Sequence, residues 1–138
     1  NYSFWCLSQA CRIVPKLTTP ASKLSAALIP MMEEVGYAHE LFATPRLVRF
    51  SEMEYNIPAE AMKPALEDIR ACVEKHRFAV HFPIECRYVR GDDIWLSPAY
   101  GRDSAYIAVH MFKGMPDKEY FKAIEDILLS YGGRPHWG

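Results

Sequence analysis

The stretch ECRYVRGDDIWLSPAYGRDSAYIAVH, residues 85–110, decides the fold. Its two ends, ECRYV and AYIAVH, are rich in residues that favour β-strands. The RGDD sequence that follows the first end is typical of a turn. The stretch therefore predicts two strands around a polar loop.

The flanking sequence predicts a further strand and two helices. RLVRFSEMEYNI, residues 46–57, alternates like a strand, as does FAVHFPIECRYV, residues 78–89. Between them lies an apolar stripe at helical spacing, formed by Met62, Leu66, Ile69 and Val73. MPDKEYFKAIEDILLSYGG, residues 115–133, predicts a second amphipathic helix that begins near Pro116 and ends at Gly132-Gly133.

This order of strand, helix, strand, strand, helix is that of a split βαβ, or ferredoxin-like, arrangement. We predict an α+β domain over residues 46–138, with a mainly antiparallel sheet and helices packed on one face. Residues 1–45 are predicted to be a helical and loop segment without a sheet, packed on that domain.

Composition argues against several classes of protein. The chain has 138 residues, a net charge of −1 and no basic stripe, so we predict no nucleic-acid partner. Its longest apolar run, LSAALIPMM, is too short to cross a bilayer. The four cysteines show no CxxC pair and no metal-like spacing, which predicts a reduced, cytoplasmic protein without a metal site. Peripheral contact with a membrane stays open. The ends of the sequence predict a piece of a longer protein.

Three polar residues occupy strand positions where a core would take apolar side chains. Alternation puts Glu85 and Arg87 on one face of their strand, and His110 lies on the next strand. If helices cover one side of the sheet, these three converge on the other. A carboxylate, a guanidinium and an imidazole suit a polyhydroxylated or carbonyl substrate. The alternative is an exposed cross-strand ion pair, with His110 as an ordinary sheet residue.

Two other sets of residues are interpreted more plainly. Glu52 and Glu54 share a strand face, which is the pattern of acid–base chemistry but more commonly of a solvated edge. Trp95 and Tyr100 are interpreted as core residues. The charged residues around them are interpreted as fixing the loop: Asp92, Asp93, Arg102 and Asp103.

Three blocks carry a resemblance to a known family. VRFSEMEYNIP, IECRYVRGDDIWLSPAYGRDSAYIAVH and GGRPHWG occur in that order. They resemble the C-terminal domain of FAD-linked sugar oxidases, in the aldonolactone oxidase and alditol oxidase branch of the vanillyl-alcohol oxidase superfamily. The resemblance covers roughly residues 40 to 138.

The resemblance implies a substrate-binding cap domain whose FAD-binding domain is absent from this chain. The family's Glu-x-Arg pair corresponds to Glu85 and Arg87, which are expected to be catalytic and substrate-binding, and His110 is expected to bind substrate. His136 and Trp137 are expected to lie at the cofactor. The family's next residue, a lysine of the substrate site, would lie beyond Gly138.

The implied function is oxidation of a sugar lactone or polyol hydroxyl, with hydride transfer to FAD. In this reading Arg87 stabilises the oxygen that gains charge, and Glu85 holds neighbouring hydroxyls or removes a proton. His110 binds a further hydroxyl or serves as the base. The chain alone is expected to be inactive and to bind no FAD with useful affinity. The face that bears Glu85 and Arg87 is expected to be exposed, and to lead to self-association or to a groove filled by a neighbouring chain. The alternative is a non-catalytic α+β binding or dimerisation module, in which Glu85 and Arg87 would point apart into solvent.

Overall fold

The fold is built on an antiparallel sheet of four strands. The computed structural model describes residues 2–28, 33, 35–42 and 47–136. The strands within these ranges are β1 (Phe50–Pro58), β2 (Glu85–Val89), β3 (Ser104–Phe112) and β4 (Arg134–Pro135). Their order is β2-β3-β1-β4, and every pairing between them is antiparallel. This is the ferredoxin-like arrangement that the sequence predicts.

One face of the sheet is covered by two amphipathic helices, α4 (Met62–His76) and α5 (Lys118–Ser130). Their buried side chains meet the apolar residues of β1 and β3 in one core. Its fully buried apolar side chains include Ile57, Ile69, Ile107, Val109, Tyr120, Ile124 and Leu128. Each large aliphatic side chain buried here contributes about 1.5–3 kcal/mol to stability.

The bounds of α4 and α5 follow from local chemistry. A 3₁₀ turn, Ala59–Ala61, leads into α4, so Pro64 falls in the first turn, where a proline is tolerated. Helix α4 ends at Arg77, which adopts a left-handed conformation with φ 55°. Helix α5 ends before Gly132, whose φ of 71° suits glycine. The predicted beginning and end of the second helix are therefore confirmed.

A helical segment precedes the sheet. It contains α1 (Tyr2–Ile13), α2 (Thr18–Leu28) and the short α3 (Ala38–Phe42), with a 3₁₀ turn at Pro15–Leu17. Within the described part of the chain, no helix has the length and apolar character to cross a membrane. Residues 1, 29–32, 34 and 43–46 lie outside that part.

Helix α1 packs on the residues before β2 through an imidazole. Ser8 Oγ lies 3.0 Å from His81 Nε2 and donates to the carbonyl of Phe4. Phe4 also meets the ring of Phe82 edge-on at 5.2 Å. Burial of His81 lowers the pKa of its imidazole. The sequence places His81 in a strand, whereas the structure begins that strand at Glu85.

The loop between β2 and β3 differs from its interpretation in two respects, of which one is that Asp93 makes no hydrogen bond or ion pair with the described residues. Asp92 fixes it as expected, since it accepts hydrogen bonds from the backbone of Ile94 and from the Ser97 hydroxyl. Trp95 and Tyr100 are not core residues, because 89% and 45% of their surfaces are exposed. The loop is held by polar contacts, and its large apolar side chains Ile94, Trp95 and Leu96 are exposed.

Candidate functional site

The face of the sheet opposite α4 and α5 carries the polar side chains. The register places Glu54 opposite Ala108, and Ala108 in turn opposite Glu85. Tyr106 likewise lies between β1 and Arg87 of β2. Because side chains that are opposite each other share a face, Glu85, Arg87 and His110 lie on this face together, as alternation predicts.

Arg87 reaches across β3 to a carboxylate on β1. Its Nη2 donates to both oxygens of Glu54, at 2.8 and 2.9 Å. The guanidinium lies 5.0 Å from the centre of the Tyr106 ring, which is a cation–π distance. β2 and β1 are two strand spacings apart, about 10 Å, so only a long side chain can bridge them. The small Ala108 leaves room for this crossing.

Glu54 also anchors the end of β4. His136 Nδ1 lies 2.6 Å from Glu54 Oε2, and the backbone N–H of His136 donates to the Glu54 carbonyl at 3.0 Å. The His136 ring meets Tyr106 edge-on at 5.5 Å. The side chain of Glu54 is only 8% exposed, so it is a nearly buried carboxylate with a cationic partner on one side and an imidazole on the other.

These residues border a cleft of about 450 Å³ that is open to solvent. It is lined by Glu52, Met53, Glu54, Tyr55, Arg87, Pro135 and His136. Nearly half of the Arg87 side chain, 48%, is exposed. Among the described residues, its Nε and Nη1 have no hydrogen-bond acceptor. The cleft therefore offers directed donors beside carboxylates and an imidazole, which is the inventory that binds hydroxyl and carbonyl oxygens.

The other two predicted residues lie on this face but outside the group around Glu54. Glu85 is exposed and makes no hydrogen bond or ion pair with the described residues. His110 is buried against the rings of Phe50 and Phe82. Its Nε2 lies 3.6 Å from Glu52 Oε2, and its Nδ1 is buried without a hydrogen-bond partner among the described residues. The structure brings Arg87 together with Glu54 and His136, and leaves Glu85 and His110 at a distance from that group.

Glu54 is the residue of the cleft that the sequence interpretation missed. Two carboxylates on one strand face predict a solvated edge, and Glu52 fits that prediction because it is exposed. Glu54, two residues further on, does not fit the prediction, because its side chain is nearly buried. The available signal in the sequence was the position of Glu54 on the sheet face that also carries Arg87. This signal predicts their pairing only when the register of three strands distant in sequence is known.

The described residues offer little to a metal or a dinucleotide. No group of three or more His, Cys, Asp or Glu side chains within them could hold a metal ion. The cleft sets the carboxylates of Glu52 and Glu54 against the guanidinium of Arg87, so it offers no excess of positive charge to a pyrophosphate. His136 already uses Nδ1 on Glu54, and Trp137 lies outside the described residues. Cofactor binding by these two residues stays a prediction.

Comparison with known proteins gives a consistent family. The D-arabinono-1,4-lactone oxidase family matches residues 1–138. L-gulono-1,4-lactone dehydrogenase of Mycobacterium tuberculosis is 42% identical over 141 residues, covering 100% of this chain and 33% of that protein. L-gulonolactone oxidase of Mus musculus is 37% identical over 110 residues, which covers 76% of this chain and 25% of that protein.

A more distant animal relative extends the match over most of the chain. L-gulonolactone oxidase of Scyliorhinus torazame is 33% identical over 131 residues, which covers 90% of this chain and 30% of that protein. The chain thus spans about a third or less of the length of these curated relatives. It corresponds to their C-terminal part. The chain therefore belongs to the D-arabinono-1,4-lactone oxidase family, in the aldonolactone oxidase branch that its sequence blocks predict.

Proposed function

We propose that this chain is the substrate-binding part of an FAD-dependent oxidoreductase that oxidises a hydroxyl group of a sugar lactone. The observation that carries the proposal is the position of Arg87. Glu54 holds its guanidinium at the wall of an open cleft, and its Nε and Nη1 have no hydrogen-bond acceptor among the described residues. Relatives named for L-gulono-1,4-lactone and L-gulonolactone favour a lactone over an open-chain polyol.

Arg87 has the central role in this proposal. A guanidinium presents its donors in a rigid plane and stays charged at all relevant pH values. The free Arg87 donors would bind the substrate oxygen that becomes a carbonyl, where they stabilise charge that develops in the transition state. The half-exposed position of Arg87 lets a substrate reach it, while its bond to Glu54 limits its motion.

Glu85 and His110 have secondary roles in the proposal. Glu85 is exposed on the same face and can accept hydrogen bonds from hydroxyls further along the substrate, or take a proton. His110 is buried among aromatic rings, which suits a wall residue that binds one hydroxyl better than a freely exchanging base. His136 adds an imidazole beside Arg87.

The cofactor belongs to a part of the protein that this chain does not supply. Members of the family are flavoproteins in general. The chemistry that a flavin supplies to such a protein is acceptance of a hydride from the carbinol carbon. Since the cleft has no excess of positive charge and the sequence has no glycine-rich phosphate loop, the residues present do not fit the pyrophosphate of FAD. We assign this chain only the binding and orientation of substrate.

A non-catalytic binding or dimerisation module is the alternative. That reading expects Arg87 to point into solvent away from the sheet, whereas Arg87 is paired with a nearly buried carboxylate. Two features still fit it: Glu85 is exposed, and neither Glu85 nor His110 converges on Arg87. Membership of a lactone oxidase family favours the oxidoreductase.

The proposal is tested by grafting this chain in place of the matching third of the Mycobacterium tuberculosis dehydrogenase. We expect the flavin of the graft to be reduced on anaerobic rapid mixing with L-gulono-1,4-lactone. A graft that is folded and loaded with flavin, but is reduced by neither aldonolactones nor alditols, would contradict the proposal.

A further inference from the structure

We propose that Glu54 is the positioning residue of the cleft: it fixes the Arg87 guanidinium and the His136 ring against each other, so that the free Arg87 donors face the substrate oxygen before substrate arrives. This inference rests on the proposed function and adds to it the residue that sets the binding geometry. Neither composition nor the Glu-x-Arg pattern points to Glu54.

The burial of Glu54 is the first step of the argument. A carboxylate that is 8% exposed has lost most of its water, and such a group is costly unless its oxygens are satisfied. Oε1 accepts from Arg87, and Oε2 accepts from Arg87 and lies 2.6 Å from His136 Nδ1. Both oxygens are therefore engaged, and loss of Arg87 would leave Oε1 of a desolvated carboxylate without its partner.

The register brings side chains from both edges of the sheet to Glu54. β1 lies between β3 and β4. Glu54 therefore meets Arg87 of β2, across β3, on one side and His136, the residue that follows β4, on the other. Ala108 lies between Glu54 and Glu85 and leaves the path of Arg87 open. Glu52 is two residues away on the same face, but it is exposed and its neighbour is His110.

The third step concerns the hydrogen-bond donors of Arg87 that Glu54 leaves free. Glu54 takes Nη2 alone, so Nε and Nη1 are left for a ligand with their direction already set. Arginine side chains carry about 2 kcal/mol of rotamer entropy, and a site that has already restricted the side chain does not lose that entropy on binding. The Tyr106 ring, 5.0 Å away, restricts the guanidinium from a second direction.

The direct test uses nuclear magnetic resonance on the 138-residue chain without ligand. The readout is the Arg87 side-chain Nε–Hε signal, which is sharp and dispersed when the guanidinium is held. Glu54→Gln is expected to broaden this signal and move it toward free arginine. Glu54→Asp, which keeps the charge on a shorter stem, is expected to give an intermediate signal and serves as the folded variant if Glu54→Gln unfolds. Glu74→Gln, which removes the exposed partner of Arg70 on α4, is the matched control and should leave the Arg87 signal unchanged.

The second test measures affinity for L-gulono-1,4-lactone with a double-mutant cycle. Glu54→Gln should weaken binding about tenfold, and Glu54→Asp should recover part of that loss. If Glu54 acts through Arg87, Glu54→Gln combined with Arg87→Lys should bind no more weakly than Arg87→Lys alone. Fully additive losses would overturn the inference, as would an unchanged Arg87 signal in Glu54→Gln. Failure of the parent chain to bind any aldonolactone would count against the proposed function, while the Arg87 signal would still decide the role of Glu54.

Discussion

At the scale of single residues, the cleft depends on how the donors of Arg87 are divided between Glu54 and a ligand. Alternation along two strands is sufficient to predict that Glu85, Arg87 and His110 share a face, because the period of a strand is fixed. The partner of each side chain is not predictable in this way. Arg87 pairs with Glu54 rather than with Glu85, two residues before it, because the long guanidinium stem crosses Ala108 to a carboxylate on β1.

Replacing Arg87 with lysine separates the two roles of its guanidinium, the ion pair with Glu54 and the hydrogen bonds to substrate. In Arg87→Lys one ammonium can still meet Glu54, so we expect the thermal unfolding midpoint to change little. The directed donors toward substrate are lost, so affinity for L-gulono-1,4-lactone should fall about tenfold and flavin reduction in the graft about a hundredfold. Arg70→Lys, on the exposed surface of α4, is the matched control. Flavin reduction at the parent rate with saturating lactone would show that Arg87 does not stabilise the transition state.

At the scale of elements, the short strand β4 determines where His136 lies. The sequence interpretation ends the second helix at Gly132-Gly133, which is correct, but it predicts no strand after it. Two residues, one of them a proline, carry no strand pattern of their own. Their pairing with Tyr55 and Asn56 is set by the close turn after α5, in which the Gly133 N–H donates to the Leu128 carbonyl at 3.0 Å.

Gly133→Ala tests this turn. A Cβ at Gly133 would lie 2.6 Å from the Leu128 carbonyl oxygen and 3.1 Å from the Tyr55 ring, so the backbone must shift. We expect a loss of about 1–3 kcal/mol in the free energy of unfolding, measured by urea titration, together with altered His136 ring signals. Gly36→Ala, whose Cβ would meet Leu41 at an ordinary 3.4 Å, is the control. Equal stability of the two variants would mean that the turn does not place β4.

The contact between α1 and His81 should weaken in acid. Burial lowers the pKa of His81 in the folded chain, whereas the unfolded chain titrates near the usual value of about 6.5. The unfolded state then binds more protons as pH falls, so this contribution is present above about pH 6.5 and is lost below it. The described neighbours of His81 are Ser8 and the rings of Phe4, Phe82 and Phe112, none of them charged.

The measurement is the thermal unfolding midpoint between pH 7.5 and 5 for the parent and for His81→Asn. We expect the parent to lose stability over this interval and His81→Asn to lose less of it. An identical pH dependence in both proteins would exclude His81 as the source. The direction follows from burial alone, since no charged partner compensates the imidazolium within the described contacts.

At the scale of the whole molecule, element order was enough to predict the topology. Two amphipathic helices and strands of alternating pattern leave few ways to bury one apolar face of a sheet, and the ferredoxin-like order is one of them. The surface was harder to predict. Trp95 and Tyr100 were interpreted as core because large aromatic side chains are usually buried, but a loop fixed by Asp92 and Asp103 holds them outward.

This loop is a more apolar surface for self-association than the expected face that bears Glu85 and Arg87. Ile94, Trp95 and Leu96 are 64%, 89% and 85% exposed, and they are consecutive in sequence. Exposed apolar patches of this kind drive association, and a tryptophan alone buries about 150–250 Å² when it is covered. We propose that the 138-residue chain associates at high concentration through these residues rather than through the polar face that carries Arg87.

Trp95→Ser combined with Leu96→Ser should therefore weaken self-association of the chain at least tenfold in sedimentation velocity experiments. Leu129→Ser removes an exposed apolar side chain on α5 and is the matched control, which should associate like the parent. Because the loop is held by Asp92 and Ser97 hydrogen bonds and not by its apolar side chains, the double variant should keep the parent's unfolding midpoint. A parent chain that stays monomeric at millimolar concentration, or a double variant that associates as strongly as the parent, would exclude this loop as the contact surface.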